Sequence, residues 1–535
     1  MSEWVNSLLS INYGQFYFMQ VFVIVCLFVL GVSVTTLLMP RKESSHAIIF
    51  TMAFPVGISV FIFVGYLMLI AGVPYKTNLI SLLIIVIGLC SLFCAAAHHS
   101  FRDAGISVRR FVLSTVLAAA AAALVTGGYL PMSVSNDSLY YFWQYPRAIV
   151  YYGGLRDQFD NFLTDTGLGA AVIGTLPFLY GFGETFGIQS FFNFNFILFF
   201  GNAIYEMLGR MKKEINIKMR LTVCIICAIL IGVCTPVYIL SHWAMANMYF
   251  MEVCFMILYL LFRYSGNHSY GKMTLIGTML FAMSLLRIEG CIFTMMIVII
   301  ASLLDYRGKD IAAFLILPSA VLIGVYDLQI FVGFTVDNPV KFLTPGKAVL
   351  QFVCFVILAV YVLFIRKRIR KRFDHILPLL FVGALLVLNL VLLIYDRGRY
   401  IANLRAFVGN LFGQSGWGML PYISIGAVVI ILVWELFIDN IGAVRFRQLM
   451  DVKSYPASFW FMSSLTFLLV CLAVSFARGD NLDVATGDSG NRVLLQIAPI
   501  VVMMFVSWFI ELCLRQDNSK GIGLENDDAG NIDSK

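Results

Sequence analysis

Asp137 is the acidic residue of this sequence best placed to act as a catalytic base. It follows the apolar run 109–130 and stands just before a predicted helix. A carboxylate in this position caps the helix and gains from its dipole. The same carboxylate, held ionised where a membrane span ends, is also suited to accept the proton of a hydroxyl nucleophile. The local sequence leaves both interpretations open.

Arginines beside the apolar runs are candidate phosphate ligands. A guanidinium stays charged when partly desolvated and binds phosphate through two parallel hydrogen bonds. Arg287 and Arg492 are the strongest candidates, and Arg478 is ambiguous. For Arg492 the alternative is an interface anchor, because arginines at span ends commonly extend to the headgroup level.

Charged residues also lie inside the apolar runs. Arg287, Glu289 and Gly290 interrupt the run 273–304, and Glu252 lies within the run 244–263. A charged residue at mid-bilayer costs roughly a few kcal/mol unless it lines a cavity or has a partner. The sequence leaves open whether Arg287 pairs with Glu289, with Glu252 or with a substrate phosphate.

The composition predicts the elements that must position these residues. Of the 535 residues, 60% are hydrophobic and 13% are charged, whereas soluble globular chains have about 45–50% and about 25%. A spanning helix needs about 20 apolar residues, which predicts about 13 to 15 spans. We therefore expect an all-α polytopic membrane protein, and soluble, fibrous and disordered classes are excluded.

The distribution of basic residues predicts the orientation. With the N-terminus outside, 26 of the 37 Lys and Arg residues fall on the inner side, 10 fall on the outer side and Arg287 lies between two runs. This imbalance follows the positive-inside rule and places the C-terminus in the cytoplasm. The net charge of +7 therefore reflects topology in a plasma (inner) membrane, and no nucleic-acid partner is expected.

The longest outer segment is predicted to be residues 131–187. Seven of the fourteen residues from 139 to 152 are aromatic. Tyr and Trp favour the headgroup level of a bilayer, so this stretch is predicted to form a helix along the outer interface.

Together these segments resemble the C-type (GT-C) glycosyltransferases, which are polytopic enzymes that use polyprenyl-phosphate sugars. The resemblance rests on SNDSLYY at 135–141, on Pro146-Arg147 and Thr164-Asp165, on LRIEG at 286–290 and on GDSGNRVLLQIAP at 487–499. Each motif is weak alone, and their order and common outer side make the combination more specific. The chain departs from the family where Asn136 replaces a paired acid and where Glu252 stands for an Asp usual in a later span.

The resemblance implies a fold and a site. It implies a seven-span core in 109–334 and a variable membrane module in 335–514. The apolar runs predict three N-terminal helices in 1–108, and the polar composition of 515–535 predicts a disordered cytoplasmic tail. Asp137 is implied as the catalytic base. The implied substrate-binding residues are Arg147, Asp165, Glu252, Arg287, Glu289, Arg478 and Arg492.

The implied activity is inverting sugar transfer at the outer face of a bacterial plasma membrane, from a polyprenyl-phosphate donor to a glycan, lipid or protein hydroxyl. A transporter or flippase of lipid-linked sugars is one alternative, although repeated halves are not visible. An O-antigen-type polymerase or ligase is another, although its long outer loop would come late in the chain. The sequence predicts no metal site, and a divalent cation is the one cofactor left open.

Overall fold

The computed structural model describes residues 13–39, 45–126, 140–155, 168–182, 186–211, 215–233, 246–263, 269–287, 290–304, 345–365, 368, 377–412, 426, 429–431, 433, 456–478 and 497–511, a few of them by backbone alone. Every regular element within these ranges is helical. The prediction of an all-α membrane protein is confirmed as a fold class.

The helices are numbered here in chain order. They are α1 (Tyr13–Leu38), α2 (His46–Ile70), α3 (Thr77–Ala97), α4 (Ser100–Asp103), α5 (Val108–Thr126), α6 (Tyr145–Tyr152), α7 (Leu168–Tyr180), α8 (Phe186–Met211), α9 (Ile217–Val233), α10 (Ala246–Arg263), α11 (Tyr270–Leu286), α12 (Gly290–Leu304), α13 (Pro345–Val360), α14 (Leu377–Tyr395), α15 (Arg397–Phe412), α16 (Pro456–Arg478) and α17 (Ala498–Glu511). Short π-helical segments cover Tyr140–Gln144 and Tyr361–Ile365.

The chain divides into two compact units. Unit 1 comprises residues 1–203, 228–372 and 477–482, and unit 2 comprises residues 204–227, 373–476 and 483–535. Helices α1 to α7 and α10 to α13 lie in unit 1, whereas α14, α15 and α17 lie in unit 2. Helices α8, α9 and α16 contribute residues to both.

Seven helices of the described part are long and apolar enough to cross a membrane. They are Tyr17–Leu38, His46–Ile70, Thr77–Ala97, Val108–Thr126, Ala246–Arg263, Leu377–Tyr395 and Ala457–Val474. A helix satisfies all of its backbone hydrogen bonds within one segment, which is what the hydrocarbon region of a bilayer requires. Five shorter apolar helices accompany them.

Helices α1 and α2 cross at backbone contact in unit 1. A side chain at Gly31 would meet the carbonyl oxygen of Ala53, and one at Gly57 would meet that of Leu27. Small residues let two membrane helices approach to backbone contact, where dispersion forces hold them together. Most of α2 is buried.

Helices α3 and α5 lie at the periphery of unit 1. Helix α3 buries only Ile80, Ser91 and Ala95, and Phe93 in the same helix is 75% exposed. Helix α5 buries only Ala118 and Ala122. Such continuous apolar exposure is expected of helices that face lipid, because lipid tails are as apolar as the side chains they contact.

One end of unit 1, here called the loop face, gathers the α2–α3 connection, α6, α7 and the ends of α10 and α11. The Tyr75 N–H donates to the Gly153 carbonyl at 2.8 Å, and the Thr77 hydroxyl donates to the Leu179 carbonyl at 3.0 Å. Helix α7 also contacts α11 at Leu285. The charge distribution predicts that these segments lie on one side of the membrane and that this side is the outer one. The orientation stays a prediction.

Gly271, at the start of α11, lies against the backbone of Leu38. The end of α1 and the start of α11 are therefore neighbours, as the predicted alternation of the spans requires. Since α11 ends at Leu286, near α7, these neighbours lie at the end of α11 away from the loop face.

Candidate functional site

The aromatic stretch of the loop face is helical, as predicted. A π-helical segment, Tyr140–Gln144, runs directly into α6, which ends at Gly153 with a φ of 69°. Pro146 in the first turn suits a helix start because its fixed φ is already helical. Trp143, Tyr151 and Tyr152 are exposed. The residues that face inward are Phe142, Pro146 and Ile149.

This amphipathic pattern suits a helix at the headgroup level of a bilayer. Helix α6 packs tightly onto α7. A side chain at Gly174 would meet the Pro146 ring and would come within 3.1 Å of the Phe142 backbone. Glycine at 174 is therefore what allows the aromatic segment to lie directly on the helix bundle.

Tyr75, in the α2–α3 connection, forms hydrogen bonds that hold α6 and α7 in place. Its side chain is fully buried, its hydroxyl lies 2.9 Å from the Thr175 hydroxyl, and its N–H bonds to the last turn of α6. Burial raises the pKa of Tyr75 well above its ordinary value. The residue is therefore a neutral hydrogen-bonding link between three elements.

Arg147 lies on the exposed side of α6. Its guanidinium carbon is 5.7 Å from the centre of the Trp143 ring, within the range of a cation–π contact. A substrate that uses Arg147 would approach it from the membrane surface, because the side chain does not point into the bundle.

Arg287 lies at a break between two helices, which confirms the predicted interruption of the run 273–304. Helix α11 ends at Leu286, and Arg287 is extended with φ −145° and ψ 150°. The Gly290 N–H donates to the Arg287 carbonyl at 2.9 Å, and α12 begins at Gly290. The guanidinium donates to the side-chain oxygen of Asn247 near the start of α10. The arginine is thereby fixed at the loop face and remains partly exposed.

Glu252 lies deeper on α10, five residues after Asn247 and about 7.5 Å further along the helix axis. Its side chain is 0% exposed, and neither carboxyl oxygen has a hydrogen-bond partner among the described residues. Arg287 donates to Asn247, and it makes no hydrogen bond to Glu252 in the described structure.

Tyr249 lies on α10 between Glu252 and the aromatic segment 140–152. Its ring lies 4.7 Å from the Phe192 ring and 6.3 Å from the Phe142 ring, measured between centroids. Its hydroxyl is buried and has no hydrogen-bond partner in the part of the chain that the structure describes. Beyond Glu252 the same side of α10 carries Phe255, which packs against three phenylalanines of α8.

The structure thus brings Arg287 to the loop face, the end of unit 1 that also carries α6, and Glu252 lies deeper in the bundle. Arg478 is the last residue of α16, and its side chain is not described. The other predicted site residues lie outside the described residues: Asp137, Asp165, Glu289 and Arg492.

Sequence reasoning missed Asn247, Tyr249 and Tyr75. The spacing of Asn247, Tyr249 and Glu252 places three polar groups within two turns of an otherwise apolar span, which is a readable signal. Tyr75 carries no such signal, because its partners are far away in the sequence.

Among the described residues, no group of three or more His, Cys, Asp or Glu side chains could hold a metal ion. A cavity of about 400 Å³ opens elsewhere in unit 1, between α1, α2, α3 and α11. Its walls are mainly apolar and include Val34, Val64 and Ile87, so it has no role in the site at the loop face.

No protein-family model matches this sequence, and neither a curated protein nor a solved structure matches it significantly.

Proposed function

We propose that this chain is a membrane glycosyltransferase with a C-type core, which moves a sugar from a polyprenyl-phosphate donor to an acceptor hydroxyl at the loop face of unit 1. The observation that carries the proposal is the position of Arg287. It is a partly exposed guanidinium, oriented by Asn247, at the same end of the bundle as an aromatic helix.

Each of these parts suits a lipid-linked phosphate. The aromatic residues of α6 suit the headgroup level of a bilayer, which is where the phosphate of a membrane-anchored donor lies. A guanidinium recognises phosphate through its planar fork and keeps its charge in a partly dry site. Arg287 would therefore hold the donor phosphate while the lipid chain stays in the bilayer.

In the proposed reaction the acceptor oxygen attacks the anomeric carbon of the donor. The bond between that carbon and the phosphate oxygen breaks, and positive charge develops on the sugar as in glycoside chemistry generally. The acceptor proton passes to the carboxylate of Asp137, and the polyprenyl phosphate leaves with its negative charge stabilised by Arg287.

The test is transfer of a radiolabelled sugar from polyprenyl-phosphate donors by the purified protein in liposomes. Asp137→Asn should lower turnover by about 100- to 10,000-fold, because an amide cannot accept the acceptor proton. Asparagine also caps helices well, so folding should be unchanged. Wild-type turnover by a folded Asp137→Asn protein would contradict the assignment of the base.

Glu252 favours a second candidate function. Ionisable residues buried inside membrane helices are typical of proton-coupled transporters. A transporter of lipid-linked sugars would move its substrate across liposomes in response to a pH gradient and would leave the glycosidic bond intact. Gradient-driven movement without transfer would replace the glycosyltransferase proposal.

A further inference from the structure

Glu252 occupies a closed apolar site in unit 1. On one side of α10, Tyr249, Glu252 and Phe255 follow each other at intervals of three residues, so their side chains form one stripe. The rings at both ends of this stripe contact phenylalanines of α8, with Phe192 against Tyr249 at 4.7 Å and Phe200 against Phe255 at 5.1 Å. The carboxyl group between them is fully buried.

The described surroundings supply no opposite charge to this carboxyl group. The part of α8 within unit 1, residues 186–203, contains no titratable residue. On α10 itself the other titratable residues are Tyr249, Cys254, Tyr259 and Arg263. On α11, the turn after it, α12 and the segment 140–152, the titratable residues whose side chains are described are Tyr270, Lys272, Arg287, Cys291, Tyr145, Arg147, Tyr151 and Tyr152.

None of the cations in this set hydrogen-bonds to Glu252, because neither carboxyl oxygen has a partner among the described residues. Arg287 bonds to Asn247, and Arg147 lies over Trp143. Lys272 comes 15 residues before Arg287, at the far end of α11 from the loop face. An ionised carboxylate without partner or water is strongly disfavoured in such a site, so the carboxyl group is expected to hold a proton.

The Tyr249 hydroxyl is the polar group of α10 nearest to this carboxyl group on the side of the loop face. Among the described residues, the buried Tyr249 hydroxyl and the Asn247 amide nitrogen have no hydrogen-bond partner, and Arg287 follows at the partly exposed end. Away from the loop face, Phe255 and Met256 are apolar and buried, and the next hydroxyl of α10 is that of Tyr259, seven residues after Glu252. The route through Tyr249 is therefore the shorter one along α10.

We propose that Glu252 is a proton-binding site inside unit 1 that exchanges its proton with solvent at the loop face through Tyr249. The tyrosine hydroxyl takes a proton on its oxygen as it gives up its own, so it is unchanged after each transfer. The carboxyl group becomes a carboxylate when the proton leaves. This site is independent of the proposed sugar transfer, and its ligand is the proton itself.

The first experiment is infrared spectroscopy of the full chain in lipid nanodiscs at neutral pH. Wild-type protein should show a C=O band of a protonated carboxylic acid, and Glu252→Gln should lack it. Asp396→Asn is the control, because Asp396 is a partly exposed helix cap whose carboxylate accepts the Arg399 N–H at 2.9 Å. That variant should lose a carboxylate band and keep the acid band.

The absence of an acid band from the wild-type spectrum would overturn the proposal, whether or not any variant folds. An acid band that survives in a folded Glu252→Gln protein would overturn it as well.

The second experiment tests the route by moving the protein into D₂O and following the shift of the acid band. Tyr249→Phe should slow the shift severalfold, because the ring remains and the relaying hydroxyl is lost. Tyr259→Phe is the matched control, because Tyr259 is a buried tyrosine of α10 on the other side of Glu252. The route through Tyr249 would be excluded if wild type and Tyr249→Phe exchanged at equal rates. It would also be excluded if Tyr249→Phe and Tyr259→Phe slowed the exchange equally.

Discussion

Two buried glutamates, one in each unit, differ in what surrounds them. In unit 2, Glu511 at the end of α17 is 8% exposed, and its carboxyl oxygen accepts the Ala457 N–H at 3.0 Å. That N–H belongs to the first turn of α16, where backbone donors have no partner within the helix. In unit 1, Glu252 is fully buried, and its carboxyl oxygens have no hydrogen-bond partner within the described ranges.

Two tyrosines show the same difference. In unit 2, the Tyr400 hydroxyl donates to the side-chain oxygen of Asn389 at 3.0 Å. Asn389 in turn donates to the Leu469 carbonyl at 3.1 Å, which ties α14 to both α15 and α16. In unit 1, the hydroxyl of Tyr249 has no such partner.

The comparison separates polar residues that hold a fold together from polar residues that the fold does not explain. Buried polar groups are normally satisfied, since an unsatisfied one costs free energy. Glu511, Asn389 and Tyr400 meet this rule and need no further role. Glu252 and Tyr249 do not meet it, and they lie directly below the loop face to which we assign function.

The largest expected effect on stability is that of Glu511→Leu. This change leaves the Ala457 N–H buried without an acceptor and should lower the free energy of unfolding by about 1–3 kcal/mol. Thermal unfolding in detergent, followed by the fluorescence of a thiol-reactive dye, measures it. An unchanged midpoint would mean that Glu511 does not hold α16 and α17 together.

Tyr400→Phe should have a smaller effect. It removes one hydrogen bond to Asn389 and keeps the ring, so the expected loss is about 0.5–1.5 kcal/mol. The same unfolding assay applies, with Tyr395→Phe as control because Tyr395 is exposed on the neighbouring helix. An equal shift in both variants would assign the effect to something other than the bond to Asn389.

Glu252→Leu and Tyr249→Phe should have the smallest effects on stability. Neither removes a hydrogen bond within the described structure, and replacing an unsatisfied polar group by an apolar one is neutral or stabilising. We expect midpoints equal to or above that of the wild type. A marked loss of stability in either variant would show that the two units do not differ in the way described.

The sequence predicted those features whose signals are local. The break at Arg287 was predictable because charges and Gly290 interrupt a long apolar run, and α6 because its aromatic residues cluster before a glycine. The all-α membrane class followed from composition alone.

Other features had no local signal. Helix α7 has 13 residues, Leu168–Tyr180, too few for a span of about 20, so it was expected as part of an outer loop. The bond between Arg287 and Asn247 joins residues on two antiparallel helices. The sequence left three partners open for Arg287, and none of them was the amide that the structure shows.

The most direct test of the central claim, that the loop face of unit 1 binds a lipid phosphate, is the rate of sugar transfer by Arg287→Lys. Lysine keeps the charge and loses the planar fork. A charge-assisted hydrogen bond contributes about 1.5–3 kcal/mol, so transfer should fall by about 10- to 100-fold. Arg110→Lys is the matched control, since Arg110 is an exposed arginine at the start of α5 that bonds only locally, to the Gly105 carbonyl. Loss of transfer in Arg287→Lys alone is the predicted result, and wild-type transfer by a folded Arg287→Lys protein would contradict it.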